Sequence, residues 1–298
     1  MFTPYSGSAN LNVWLDTKNT SSYQSVFGKT KWLDLSPSGS YVTMSTAVEM
    51  NDTGSGFDFT ANYGIGNVLP TNLSGSAAYG NIPNPFAAGN VWYDGTNTVP
   101  FAWEAIFTIA TASNGLQATS ITSLFGNRRN STFVFGFRSQ SAAIPNEGIW
   151  PQTREDDTSI TSSLSLTPGI QYHLIVAASG SGPGVGRRFR FYYEYSGSQF
   201  QADSTNPIAM GDLNPGNTDV YWNIAAELVS GYNFTGYIRM LRVWTKHLSE
   251  QDISDLFAFE DVSGTRNTGS ADVPRVWVLG EYPVVGGQTF ETRRKPVA

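Results

Sequence analysis

Cysteine is absent from the 298 residues, which excludes disulfide staples, thiolate metal sites and a cysteine nucleophile, and leaves stability to packing. Histidine occurs only at His173 and His247, too little material for a zinc centre, and no Gly-x-Ser-x-Gly elbow accompanies either as a triad base. Both read as structural. Charge is sparse too: Asp, Glu, Lys and Arg make up 14% of the chain, and 18 basic against 24 acidic residues leave a net charge of −6. That balance lacks the electrostatic footprint of a nucleic-acid binder. No apolar run approaches the ~18 residues of a membrane span, and Met1 to Asn10 carry neither a basic segment nor a long apolar one. The expectation is a protein without membrane insertion or a secretory signal peptide.

Aromatic residues are plentiful at 13%, with 30 Gly and 15 Pro, a composition that argues against coiled coil, disorder or a helical bundle. Phe189, Phe191, Tyr193 and Tyr195 alternate as one face of a half-buried strand. The same period fits Leu11/Val13/Leu15, Phe101 to Ile109, Phe133/Phe135/Phe137, Tyr172/Leu174/Val176 and Val276/Val278, all separated by polar turn residues. Many short strands with such turns predict an all-β antiparallel sandwich. Gly180 to Gly186 reads as a hairpin loop, and a phase change between Met240 and Leu241 predicts one bulge.

One short helix is predicted near the C-terminal end: Ser249 suits the N-cap, Asp252 falls at N3, Leu248 and Ile253 form a staple, and Leu256 and Phe257 continue the stripe. Two stretches, about 62–100 and 139–165, show no strand pattern and read as long loops on a rigid scaffold. With no composition break, the chain divides into an arm (1–10), a single sandwich domain (11–285) and a basic tail (286–298).

These landmarks, in order, resemble the laminin-G-like, concanavalin A-like jelly-roll domains of phage and large-virus surface proteins. Leu11-Asn-Val-Trp-Leu-Asp16 and Trp32-Leu-Asp-Leu-Ser36 resemble the family's opening strand and Trp-x-Asp-x-Ser turn, with the glycine that usually follows displaced to Gly39. Phe101-Ala-Trp-Glu-Ala105 is similar to a second strand, with Ile106 where a Trp is expected, and Gly236 to Ile253 resembles the closing strand and helix, with Asp252 replacing Glu. The resemblance covers residues 10–258. It implies the sandwich and an association with particles and glycans.

Enzymes sharing that sandwich carry Glu-x-Asp-x-x-Glu on one strand, which supplies a carboxylate pair at hydrolytic separation. This chain has no such run; Glu104, Glu194 and Glu227 stand alone on candidate strands. The expectation is therefore a non-catalytic recognition module that needs no cofactor, with a glycoside hydrolase and a free lectin as alternatives. Trp92, Tyr93, Trp150, Tyr221 and Trp222 are suited in type to stack on sugars. Asp212, Asn214 and Asp219 offer oxygen ligands that could hold calcium, although Asn223 stands where an EF-hand would need glutamate. Arg293, Arg294 and Lys295 could dock on an acidic subunit of a virion, and the expected partners are such structural proteins and cell-surface glycans. The expected location is a virion or an extracellular surface.

Overall fold

The computed structural model describes residues 10–19, 22–23, 31–37, 39–51, 56–62, 80–83, 100–110, 121–127, 133–139, 149–155, 158–162, 165–179, 189–195, 198–203, 221–226 and 234–260. Among these, two eight-stranded antiparallel sheets are formed. The first sheet has the order Ser198–Asp203 (β14), Phe189–Tyr195 (β13), Gln171–Ala178 (β12), Phe101–Ile109 (β7), Gly236–Trp244 (β16), Gly56–Asp58 (β5) and Glu49–Asn51 (β4). Leu11–Asp16 (β1) pairs with the remaining length of β16. The second runs Thr158–Thr161 (β11), Ile149–Glu155 (β10), Phe133–Ser139 (β9), Ile121–Asn127 (β8), Tyr221–Ile224 (β15), Gly80–Pro83 (β6), Tyr41–Met44 (β3) and Lys31–Leu33 (β2).

Alternation decides which side chains meet between the sheets. Phe101, Trp103, Ala105, Phe107 and Ile109 of β7 all point inward, where Trp103 stacks on Phe135 with centroids 5.0 Å apart and Phe107 meets Phe137 at 4.8 Å. Trp32 packs on Phe57 at 5.0 Å. Each such ring pair adds about 0.5–1.5 kcal/mol beyond the area it buries.

The Trp32-to-Ser36 motif has a direct physical role. Trp32 fills the core, while the buried Asp34 carboxylate accepts hydrogen bonds from the Trp14 N–H (2.8 Å), the Ser36 N–H (2.9 Å) and the Ser36 hydroxyl (2.9 Å). One acidic side chain therefore ties the turn to the opening strand. Gly39, at φ +59°, takes a left-handed conformation that favours glycine.

A third layer covers the outer face of the first sheet. Helix α1, Glu250–Phe259, buries Ile253, Leu256 and Phe257, which cluster with Trp14, Ala102, Ile175, Ala177, Tyr192 and Trp244. The strand 189–195 is consequently covered on both faces: Tyr192 and Glu194, on the side opposite Phe191 and Tyr193, are buried as well. This corrects the half-buried expectation, because the period of a strand shows which residues share a face but not what packs on it. The helix begins with the predicted cap. The Ser249 hydroxyl accepts from the Asp252 N–H (3.1 Å), and the Asp252 carboxylate accepts from the Ser249 N–H (2.8 Å).

The bulge in β16 falls between Ile238 and Met240, about one residue before the predicted position. In an unbroken strand Arg239 and Arg242, three apart, would lie on opposite faces. The extra residue brings both to the outer face, where they share a partner. The stretches that read as patternless also hold strands: β10 and β11 within 139–165 and β6 within 62–100. Their composition is polar, and Pro151 lies inside β10. Pairing of β10 with β9 on one side and β11 on the other holds the strand despite the proline, whose carbonyl accepts the Ser162 N–H at 2.9 Å. The expected strand at 276–278, the arm up to residue 9, the loop 180–186 and the tail lie outside the described residues.

Replacing Ser249 by Ala removes one half of the capping box and is expected to cost about 1 kcal/mol, read as a lower denaturant midpoint with an unchanged m-value.

Candidate functional site

Titratable residues far apart in sequence meet between the first sheet and α1. Antiparallel register sets Glu194 directly opposite His173 and Arg242 directly opposite Glu104. The bulge adds Arg239, β1 adds Asp16, and the residue that ends α1 adds Glu260. All seven are buried. Arg242 is the hub: its guanidinium lies 3.2 Å from both oxygens of Glu104 and 2.5 Å from Glu260 Oε1, with the rings of Trp14 and Phe259 at 5.3 and 6.0 Å. Arg239 holds the other Glu260 oxygen at 2.8 Å. His173 Nε2 is 2.6 Å from Glu104 Oε1, its Nδ1 is 3.7 Å from Glu194 Oε2, and the edge of Phe257 closes over the ring at 4.7 Å.

Three acids, Glu104, Glu194 and Glu260, thus face three bases, Arg239, Arg242 and His173. Burial alone would lower the His173 pKa from 6.5, but the Glu104 and Glu194 carboxylates beside it outweigh that and raise it. Burial would raise Glu260 from 4.5, yet the Arg242 and Arg239 charges dominate and push it down to about 2. Asp16, the fourth acid, moves the other way: burial and the nearby Glu260 charge raise it above 3.8 despite the two arginines.

Chemically, this set is a clamp. Glu104, His173 and Glu194 have no exposed surface, whereas a hydrolytic carboxylate pair needs a groove that admits substrate and water. Glu260 also sits at the C-terminal end of α1, where a negative charge opposes the helix dipole. The two arginines offset that and fix the helix end to the sheet.

The residues singled out for sugar binding separate in the structure. Trp222 is buried in the core with its ring 5.1 Å from Phe125, so it presents no open face. This corrects its assignment: Trp222 alternates inward with Ile224, and an aromatic dipeptide alone does not show which of two adjacent rings faces out. Tyr221 occupies a position of β15 in register with Pro83, and Trp150 a position of β10 in register with Arg138. Trp92, Tyr93, Asp212, Asn214, Asp219, Arg293, Arg294 and Lys295 lie outside the described residues, as does Glu227. Among the described residues no group of three His, Asp or Glu is arranged to hold a metal, and no helix is long and apolar enough to cross a membrane. His247 is exposed.

The outer face of the second sheet is where the described surface differs most from the clamp. Register links Gly126, Asn223, Asn81, Thr43 and Lys31 across five strands, roughly 19 Å at about 4.8 Å per strand, with Gly126 and Asn223 buried and Lys31 exposed. Tyr41, beside Thr43 on the same face, is 45% exposed, with Lys31 Nζ 5.1 Å from its ring centroid. Sequence reasoning missed Tyr41, Asn81 and Asn223. The available signal was a polar residue alternating with core residues, as in Trp222-Asn-Ile224.

The chain matches no protein-family model and no curated protein sequence. Solved structures resemble its fold. One is the receptor binding domain of botulinum neurotoxin mosaic serotype C/D, at 14% identity and a TM-score of 0.50, covering 84% of this chain and 51% of that one. Domain 4 of AbnA, a GH43 extracellular arabinanase from Geobacillus stearothermophilus solved in complex with arabinotriose, is 12% identical with a TM-score of 0.43, covering 83% and 98%. Trypanosoma rangeli sialidase in complex with sialic acid is 12% identical with a TM-score of 0.48, covering 86% and 34%. The chain therefore spans about half the length of the neurotoxin binding domain, and at such identity the likeness is one of fold.

Two expectations follow for the clamp. Because the His173 pKa is raised above 6.5, its contribution is fully present below that value and lost as pH rises through the folded value. The thermal midpoint should decline on the alkaline side, and His173→Gln should remove that decline. On the acid side Glu260, lowered from 4.5 to about 2, contributes on the order of 3 kcal/mol that disappears as pH falls through that range. Asp16 acts with the opposite sign, favouring the fold while protonated. Arg242→Met should cost about 3–5 kcal/mol in denaturant unfolding, since it leaves Glu104 and Glu260 buried without their shared partner.

Proposed function

We propose that this chain is a non-catalytic β-sandwich recognition module that binds glycans, displayed on an assembly such as a virus or phage particle. The observation that carries this reading is the contrast between the two outer faces. On the first sheet Glu104, Glu194 and Glu260 are engaged in a closed cluster beneath a helix. On the second, the exposed ring of Tyr41 stands beside Lys31 and the half-buried Thr43 and Asn81, an aromatic face next to hydrogen-bonding side chains of the kind that recognises sugars.

The fold supports the reading, since it occurs in a toxin receptor binding domain and in an arabinanase domain holding arabinotriose. The particle association rests on the resemblance of the sequence landmarks. In this reading Trp92 and Tyr93 join Trp150 of β10 in the binding surface, Arg293, Arg294 and Lys295 dock on an acidic neighbouring subunit, and calcium at Asp212, Asn214 and Asp219 is an accessory.

Purified protein on a glycan array should retain sugars without releasing reducing ends, and mass spectrometry of particles should find the chain as a stoichiometric component. Release of sugar from bound oligosaccharides would overturn the non-catalytic reading, and failure to retain any glycan would overturn recognition itself.

A further inference from the structure

We infer that α1 is a pH-sensitive latch: as pH rises it leaves the outer face of the first sheet as a unit and opens the clamp to water, while both sheets stay paired. The buried apolar residues form two separate clusters. Trp32, Trp103 and Phe135 belong to the one between the sheets, in which α1 has no residue, whereas Ile253, Leu256 and Phe257 belong to the other, with Trp14, Ile175 and Trp244. A helix satisfies its backbone internally, so its departure takes no hydrogen bond from the ladders that join β7 to β12 and β16. A unit bounded in this way can open while the rest of the fold stays closed.

The charges beneath α1 set when it opens. His173 lies at their centre, with Glu104 of β7 at 2.6 Å, Glu194 of β13 at 3.7 Å and the Phe257 ring of α1 at 4.7 Å. Arg239 and Arg242 of β16, Asp16 of β1 and Glu260 at the end of α1 complete the set. When His173 and Asp16 both hold a proton, three carboxylates face three cations. When both have lost it, four carboxylates face two guanidiniums. Such an excess is costly where water is excluded and small where water returns. Phe257 and Glu260 are the members of this site that the helix carries, and their withdrawal hydrates the others.

Both titrations push the same way. Burial works against it, yet the Glu104 and Glu194 carboxylates raise the His173 pKa above 6.5, so its hold on the closed form is complete below 6.5 and is lost as pH climbs through the raised value. Burial and then the Glu260 charge raise Asp16 above 3.8, so it too favours the closed form while protonated. Mild acid does not open the latch through Glu260, whose burial is outweighed by the Arg242 and Arg239 charges that hold its pKa at about 2.

Hydrogen–deuterium exchange of the full chain, read by mass spectrometry and corrected for the intrinsic exchange rate, tests this by comparing peptides over 250–259 with those over 101–109 from about pH 6 to 9. The expected result is that α1 opens at least about tenfold more readily than β7, and that its opening constant rises by up to about tenfold per pH unit above 6.5 before levelling off. His173→Gln should flatten that rise while α1 still opens ahead of β7. Ser249→Ala, which weakens the cap, should raise α1 exchange about fivefold at every pH alike. Equal protection of α1 and β7 would overturn the separate latch. An opening constant that stays level or falls with pH in the unaltered chain would overturn the pH control, a result that needs no variant to fold, and a rise that survives His173→Gln would overturn His173 as the trigger.

Discussion

Arg242 holds the outer layer of this protein together. A guanidinium with no exposed surface is tolerated only if its charge is matched, and here Glu104 on the neighbouring strand takes one terminal nitrogen and Glu260 at the end of α1 the other. Neither partner suffices alone. Glu104 also serves His173, which in turn reaches Glu194, so satisfaction of Arg242 spreads across four strands and a helix. The apolar contacts of Ile253, Leu256 and Phe257 supply area, while the ionic contacts determine where on the sheet the helix must sit.

The bulge in β16 belongs to the same constraint. Without the irregularity at Arg239, its side chain would face the aromatic core, where nothing charged is available to it. With it, Glu260 binds one arginine through each oxygen. The carboxylate at a helix C-terminus and the two buried guanidiniums offset one another in one arrangement, while burial and the Glu260 charge raise the pKa of the neighbouring Asp16.

The two outer faces differ. The helix and clamp cover the middle of the first sheet's exterior, whereas the described outward residues of the second range from buried Asn223 to exposed Tyr41 and Lys31. The fold it shares with a distant toxin binding domain is a scaffold, and function resides in what each chain places on it.

The alternating phenylalanines of 101–109 and 133–137, the turn around Asp34 and the capped helix at 249–259 were legible because each is local: a strand's period, an Asx-type turn and a capping box are written within a few residues. The antiparallel sandwich follows from them. The strands β6, β10 and β11 were not legible, since their short polar segments, one of them interrupted by Pro151, become strands only through pairing with neighbours. Glu104, His173, Glu194, Arg242 and Glu260 each looked isolated in sequence, and only register across β13, β12, β7 and β16 makes them one cluster. Asn223 and Asn81 likewise become neighbours only because β15 and β6 lie side by side. Local patterning determines which face each residue takes, but which distant residues share that face depends on strand order, and order is decided by packing of the whole chain.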